Sequence, residues 1–104
     1  MSEFEVVVLG SGAAALAAAV SASGHGVKKV GIFEKASVLG GTSAMSGGMI
    51  WIPGNHHMEE NQIEDSREEA LTYLDSLSHG RMRTDLVEAY VDIGPSMVKW
   101  FEEN

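Results

Sequence analysis

The chain has 104 residues, 44% of them apolar and 21% charged, with a formal net charge of −8. A chain of this length buries roughly 60 to 68% of its extended-chain surface, which is enough for one hydrophobic core. The seven basic residues are scattered, which argues against nucleic-acid binding, and the absence of cysteine excludes disulfides, thiolate metal sites and a Cys nucleophile.

The stretch Val6–Ala22 is uncharged, but it does not have the features of a signal peptide or a membrane span. Glu3 and Glu5 precede it, where a signal peptide carries positive charge, and the polar turn Gly10–Gly12 interrupts it. Its length of about 17 residues lies at the lower limit for crossing a bilayer. We therefore expect no membrane span and a cytoplasmic protein.

The first elements are predicted to be a strand, a helix and a second strand. The run Phe4–Leu9 is rich in apolar and β-branched residues, typical of a strand buried on both faces of a parallel sheet. Small residues over Ala13–Ser23 favour a helix that lies close to a sheet, and Gly24 and Gly26 end it. The apolar run Val30–Phe33 predicts the second strand, which gives one right-handed parallel crossover.

The remainder of the chain is predicted to form a turn, an irregular polar segment and helices. Trp51–Gly54 is the turn signal, and Trp51 is interpreted as a core residue. Ser66 precedes Glu69 by three residues, as in a capping box, and a helix is predicted from about 67 to 78. A second helix is predicted behind Thr84 as N-cap, ending at Gly94-Pro95, where a third begins.

A glycine-rich turn stands between the first predicted strand and the helix. Residues 10–15 read Gly-Ser-Gly-Ala-Ala-Ala and fit the pattern G-x-G-x-x-A. In this pattern Gly10 permits the tight turn, Gly12 lets the backbone reach a pyrophosphate, and the small Ala15 allows close helix packing. Taken alone, the turn is also compatible with a purely structural glycine turn before an Ala-rich helix.

Glu34 strengthens the nucleotide interpretation. It lies 34 − 15 = 19 residues after Ala15, near the offset at which an acid accepts hydrogen bonds from an adenosine ribose. Its negative charge disfavours a 2′-phosphate, so the sequence indicates an NAD-like or FAD-like ligand and not NADP.

A second glycine-rich loop over residues 40–48 follows this acid and contains four glycines and three hydroxyl residues. Such a loop offers backbone donors close to a ligand, and an NAD-binding crossover needs no such loop. With this loop and the Glu34-Lys35 pair, the sequence resembles the flavoprotein oxidoreductases of the fumarate reductase and succinate dehydrogenase class. Within that class it is most similar to the 3-ketosteroid Δ1-dehydrogenase-like branch, through the loop and Trp51–Pro53.

The resemblance implies an α/β fold and FAD as the cofactor. It places a βαβ dinucleotide-binding (Rossmann-like) unit at residues 4–34, a flavin loop at 40–54 and covering helices at about 66–103 of an N-terminal FAD-domain fragment spanning 1–104. The residues that it implies for FAD binding are Gly10, Ser11, Gly12, Ala13, Ala14, Ala15, Glu34, Lys35, Gly40, Gly41, Thr42, Ser43, Ser46, Gly47 and Gly48.

Three positions differ from related families and bear on how FAD is attached and which redox chemistry is possible. Gly41 stands where respiratory succinate dehydrogenases carry the His that attaches FAD, so the resemblance implies noncovalent FAD. Ser43 and Gly48 stand where pyridine nucleotide disulfide oxidoreductases carry cysteines, which excludes a dithiol relay. Gly54 replaces the Asn expected for the branch.

The activity implied by the resemblance is hydride transfer between a carbon substrate and FAD, as in Δ1-dehydrogenation of a 3-ketosteroid. The alternatives are fumarate reductase-like reduction of an unsaturated carboxylate, and a truncated, non-catalytic nucleotide-binding fragment. No catalytic residue is expected within these 104 residues, and the substrate domain is expected to be absent. The expected partners are FAD, a small-molecule substrate in the complete enzyme, and the rest of the FAD domain or another copy of the chain.

The histidines are not expected to bind a metal. His56 and His57 are adjacent and lack the i, i+4 spacing of helical ligands, and no nearby acid cluster completes a metal shell.

Overall fold

The computed structural model describes residues 3–104 and divides the chain into two units, one ending at Met49 and the other spanning Ile50–Asn104. The elements of the first unit are strand β1 (Val6–Leu9), helix α1 (Ala13–Gly24), strand β2 (Val30–Phe33) and a 3₁₀ helix (Gly41–Met45). Those of the second are helices α2 (His56–Glu60), α3 (Arg67–Ser78) and α4 (Thr84–Glu103). The chain is a mixed α and β structure, and no helix within residues 3–104 is long and apolar enough to cross a membrane.

The first unit has the predicted order of strand, helix and strand. β1 and β2 pair in parallel, in a register that runs from Val6 opposite Val30 to Leu9 opposite Phe33. Helix α1 packs against both strands. The buried position of α1 is Ala19, and the half-buried positions, Ala15, Ala17, Ser21 and Ala22, also carry small side chains. These small side chains let the helix axis lie close to the sheet, as the composition predicted.

One face of the sheet is open to solvent, so the expectation that β1 is buried on both faces is wrong for this chain. Val7 is 52% exposed and Leu9 80%, whereas Val6 and Val8 on the opposite face are half-buried. Within the described part of the first unit α1 is the only α-helix, so it can cover only one face.

β1 begins at Val6, two residues later than predicted, and Glu5 before it binds the segment that leads into β2. Its carboxylate accepts hydrogen bonds from the backbone N–H groups of Lys28 and Lys29, at 2.8 and 3.0 Å. These contacts fix the segment that enters β2 beside the start of β1.

In the second unit α3 has the predicted bounds. The Ser66 hydroxyl accepts a hydrogen bond from the Glu69 N–H at 3.1 Å, which is the capping contact that the sequence predicted. Arg67 forms a two-bond ion pair with Asp92 of α4, at 2.6 and 3.0 Å, and thereby connects the two helices.

Two features of this unit differ from the predictions made for its turn and polar segment. α2 lies in the segment predicted to be irregular, and Asn55 caps it by accepting a hydrogen bond from the His57 N–H. Trp51 is 51% exposed and contacts Tyr73 edge to face, so its interpretation as a core residue is wrong.

Helix α4 is continuous through Gly94-Pro95, where the sequence predicted a break, and its N-cap is Arg83 and not Thr84. Pro95 cannot donate the backbone hydrogen bond that helix geometry directs to the carbonyl of Val91. The helix continues because its buried and half-buried stripe keeps the same phase on both sides of the proline. The stripe consists of Val87, Val91, Gly94, Val98 and Phe101.

Gly94 is the point of closest approach between α4 and Ile52, and it allows a stability prediction. A Cβ at position 94 would lie 2.8 Å from Ile52 Cγ2, a branch atom close to the backbone. We expect Gly94→Val to lower the free energy of unfolding by about 1 to 3 kcal/mol, because overpacking outweighs the gain in helix propensity. Urea denaturation measures the change.

The control for this prediction is Ala89→Val, which adds two carbon atoms to α4 at an exposed position. In a double variant with Ile52→Ala, which removes the clashing Cγ2, the loss caused by Gly94→Val should shrink by about 0.5 to 3 kcal/mol. Strictly additive losses would show that the contact with Ile52 does not explain the glycine.

Candidate functional site

The candidate site lies at the carboxyl ends of the two parallel strands. The Gly10 N–H donates a hydrogen bond to the Phe33 carbonyl at 2.8 Å, which fixes the two chain segments that leave the sheet. A cavity of about 420 Å³ opens there and is lined by Leu9, Gly10, Phe33, Glu34 and Lys35. Ligands of parallel α/β sheets bind outside the carboxyl ends of the strands, so this is the expected place for a nucleotide.

The glycines of the first loop meet two different requirements. Gly10 has φ +95°, a conformation that favours glycine, and it makes the sharp turn out of β1. Gly12 is the N-cap of α1 and has an extended conformation, φ −72° and ψ 177°, that any residue can adopt. A Cβ on Gly12 would lie 3.6 Å from Ser43 Oγ and 3.9 Å from the Gly40 carbonyl oxygen, an ordinary contact distance. The structure therefore has room for a Cβ at position 12.

Ser11 connects the first loop to two other parts of the site. Its side chain is almost fully buried, at 1% exposure. The hydroxyl donates a hydrogen bond to Glu34 Oε2 at 2.5 Å and accepts one from the Gly40 N–H at 2.9 Å. One buried hydroxyl thus connects the glycine turn, the acid after β2 and the start of the second loop. The sequence singled out Ser11 by its place in the motif, but this bridging contact was not predicted.

The carboxylate of Glu34 is held in its charged form. Its Oε1 atom accepts a hydrogen bond from the Ala36 N–H at 2.9 Å, in addition to the Ser11 contact at Oε2. The Ser11 hydroxyl, followed by the Ala36 N–H, lowers the pKa of Glu34 below its ordinary value. The backbone N–H groups of Lys35 and Ser11 lower this pKa further.

The second loop lies against the N-terminus of α1. Ser43 Oγ accepts a hydrogen bond from the Ala13 N–H at 3.0 Å, and a Cβ on Gly41 would lie 3.9 Å from Gly12 Cα. Gly40 and Gly41 both have positive φ, +108° and +52°, which gives the loop its close approach. We refer to the residues joined by these contacts as the cradle, which consists of Gly10–Ala13, Glu34, Gly40, Gly41 and Ser43.

The cradle fits the phosphate groups of a dinucleotide. An α-helix N-terminus combines N–H groups that lack helical partners with the positive end of the helix dipole. In α1 the Ala13 N–H already bonds to Ser43, and the first turn has no acidic residue to oppose an anion. Ala14 is exposed in this first turn, and Ala15 is half-buried.

The remaining predicted residues lie apart from these contacts. Lys35 lines the cavity, and Thr42 is an exposed residue of the 3₁₀ helix. Ser46 accepts a local hydrogen bond from the Gly48 N–H at 3.1 Å. A Cβ on Gly47 or Gly48 would have no neighbour within 4 Å among the described residues.

The second unit brings together groups that the sequence did not connect. His56 Nε2 lies 2.8 Å from Glu102 Oε2, and His57 Nε2 lies 2.6 Å from Glu102 Oε1. The Glu102 carboxylate raises the pKa of His57, with a smaller effect from Glu60. The structure thus places one carboxylate beside both histidines, where the sequence showed no nearby acid cluster. Glu102 lies 45 residues from His57 along the chain, where local spacing gives no signal.

The geometry of strand ends, glycine turn and acid agrees with a family match. Residues 5–104 match the FAD binding domain family, and the chain belongs to that family. Its cofactor is FAD, as the second loop predicted.

Individual relatives agree with the branch that the sequence resembles. The chain is 52% identical over 101 residues to 4-oxocyclohexanecarboxylate 2-dehydrogenase of Sinomonas cyclohexanicum, covering 97% of this chain and 17% of the relative. It is 40% identical over 100 residues to 3-oxosteroid 1-dehydrogenase of Mycobacterium tuberculosis, covering 96% of this chain and 18% of the relative. It is 42% identical over 79 residues to the acrylate reductase flavoprotein subunit of Shewanella woodyi, covering 76% and 15%. The chain thus spans less than a fifth of the length of these relatives.

Proposed function

We propose that this chain supplies the adenosine and pyrophosphate side of the FAD site in a larger flavin-dependent dehydrogenase that acts on carbon next to a ketone. The observation that carries the FAD geometry is the Ser11 hydroxyl, which connects the glycine turn to Glu34 and to the second loop. Bound FAD supplies the hydride acceptor. In this proposal the rest of the protein holds the substrate and the group that removes the accompanying proton.

Each part of the cradle has a role in this proposal. Glu34 accepts hydrogen bonds from the ribose, Gly12 and the first turn of α1 face the pyrophosphate, and Lys35 borders the adenosine cavity. The second loop follows the pyrophosphate toward the flavin. The proposed set is Gly10, Ser11, Gly12, Ala13, Ala14, Ala15, Glu34, Lys35, Gly40, Gly41, Thr42, Ser43, Ser46, Gly47 and Gly48.

The proposal extends to the fold and the setting of the protein. The βαβ part of the first unit is the start of a Rossmann-like domain, and its exposed sheet face and strand edges are completed by further elements of that domain. The acids before Val6 favour a cytoplasmic location over export.

The substrate class rests on the names of the relatives. Two of them, 52% and 40% identical, are named as dehydrogenases of a 4-oxocyclohexanecarboxylate and of a 3-oxosteroid. Both substrates are oxo compounds, which supports removal of two hydrogens next to a ketone. The second candidate, reduction of an unsaturated carboxylate, is favoured by the 42% identity to an acrylate reductase subunit.

The complete protein tests the state of the cofactor. Gly41 stands where the covalently attaching families carry a His, so we expect FAD to be held without a covalent bond. Heat or acid denaturation should release all of the yellow colour into the supernatant, as judged by the flavin absorption spectrum. Colour that stays with the precipitated protein would contradict this assignment.

The same preparation distinguishes the two substrate classes. With an artificial electron acceptor, we expect desaturation of a 4-oxocyclohexanecarboxylate or of a 3-ketosteroid. With a reduced dye as electron donor, reduction of acrylate or fumarate should be absent or much slower. Reduction in the second assay without desaturation in the first would favour the reductase.

A further inference from the structure

The His–Glu cluster of the second unit, which consists of His56, His57 and Glu102, brings three metal-ligating side chains together from two helices. The two histidines open α2, whose start is fixed by the Asn55 cap, and Glu102 lies in the last turn of α4. The two imidazole rings lie 4.1 Å apart between centroids and direct their Nε2 atoms to the two oxygens of one carboxylate.

The ligand atoms are close enough to share one ion. One atom from each of the three residues lies within 4.8 Å of the others, and the two N···O distances are 2.8 and 2.6 Å. Ligands on a tetrahedral zinc ion at about 2.0 to 2.1 Å lie roughly 3.3 Å from one another. Small side-chain rotations would therefore convert this cluster into a three-ligand site. Two imidazoles and a carboxylate, with a fourth position for water, form a known zinc donor set.

A fourth residue supplies the outer contact that such sites use. His57 Nδ1 lies 3.2 Å from Glu60 Oε2, which orients the ring and leaves Nε2 as the atom for a metal. Metal-bound histidines almost always donate their other N–H to a carboxylate, a carbonyl or water. His56 Nδ1 is buried and has no hydrogen-bond partner in the described part of the chain. The polar contact that orients the His56 ring is therefore the one between its Nε2 atom and Glu102.

We propose that His56, His57 and Glu102 bind one divalent transition-metal ion of the zinc class, with Glu60 as the outer partner of His57. Imidazole ligands favour such ions over Mg²⁺ and Ca²⁺, which prefer oxygen. The ion would join the start of α2 to the end of α4 in the unit that does not contain the cradle. This site is independent of the proposed FAD chemistry.

The test uses the complete protein after removal of bound metals with a chelator. Titration with zinc chloride in a calorimeter should show a site that is lost in Glu102→Gln and in a His56→Gln, His57→Gln double variant. Glu60→Gln should weaken zinc binding by roughly 10- to 100-fold, as the loss of outer partners does elsewhere. Glu103→Gln and His79→Asn are the matched controls and should retain wild-type affinity.

A second measurement keeps the proposal testable if the double variant does not fold. X-ray absorption at the zinc edge of the wild-type protein should show two imidazole nitrogens and carboxylate oxygen. An all-oxygen or sulfur shell, equal zinc affinity in the wild type and Glu102→Gln, or no zinc binding at all would overturn the proposal. FAD content, read from the flavin spectrum, should be unchanged in every variant, which separates this test from that of the proposed function.

Discussion

Replacing Gly12 with valine is expected to abolish FAD binding by the complete enzyme while its fold stays intact. The backbone at position 12 is extended, and a Cβ there would make only ordinary contacts with the second loop. The valine side chain would instead occupy the space that we propose for the pyrophosphate beside the N–H groups of α1. Losing two charge-assisted hydrogen bonds of about 1.5 to 3 kcal/mol each weakens affinity by roughly 10²- to 10⁴-fold.

The measurement is FAD titration of apoprotein, followed by flavin fluorescence, together with circular dichroism of each variant. Gly12→Ala should give an intermediate loss, because it adds only the Cβ. Ala18→Val adds bulk to an exposed position of α1 and should bind FAD normally. If Gly12→Val unfolds the protein, the glycine is structural, and if it binds FAD normally, the pyrophosphate lies elsewhere.

Replacing Glu34 with alanine is expected to weaken FAD binding by roughly ten- to a hundredfold, because it removes the charged acceptor proposed for the ribose. Glu34→Gln should lose less, since one carbonyl oxygen remains. The Ser11 hydroxyl lowers the pKa of Glu34, so the carboxylate is still charged when the pH reaches its ordinary pKa and is protonated only at lower pH. The difference in FAD affinity between the wild type and Glu34→Gln should therefore persist at about pH 5.

Calorimetric titration of the complete apoprotein with FAD checks this series at neutral pH and at about pH 5. Glu64→Ala, which removes an exposed acid from the other unit, is the control for the change in net charge. Wild-type affinity in both Glu34 variants would remove the ribose from this position.

The elements that were predicted correctly are those whose signals are local. The Ala-rich run predicted α1, and the Ser66 capping box predicted α3, because helix ends and small-residue faces are set by neighbours in sequence. The break at Pro95 was wrong for the opposite reason. Its local cost is offset by a buried stripe that spans both sides of it and by packing of Gly94 against Ile52.

In the candidate site, too, local sequence signals gave some residues, and other contacts depend on the folded chain. The motif and its spacing predicted Gly10, Gly12 and Glu34, whereas the bridge made by the Ser11 hydroxyl depends on where Gly40 folds back. The expectation that the histidines bind no metal rested on their neighbours in sequence. The carboxylate that they contact becomes visible only once α2 and α4 are placed in space.

The short chain separations within the cradle have a consequence for folding. Ser11 meets Glu34 across 23 residues, Gly40 across 29, and the Ala13 contact to Ser43 spans 30. Loop-closure entropy rises only as the logarithm of loop length, so these three closures differ by only about 0.2 kcal/mol. The cradle contacts are therefore expected to form together during folding, because closing one of these loops costs almost the same entropy as closing either of the others.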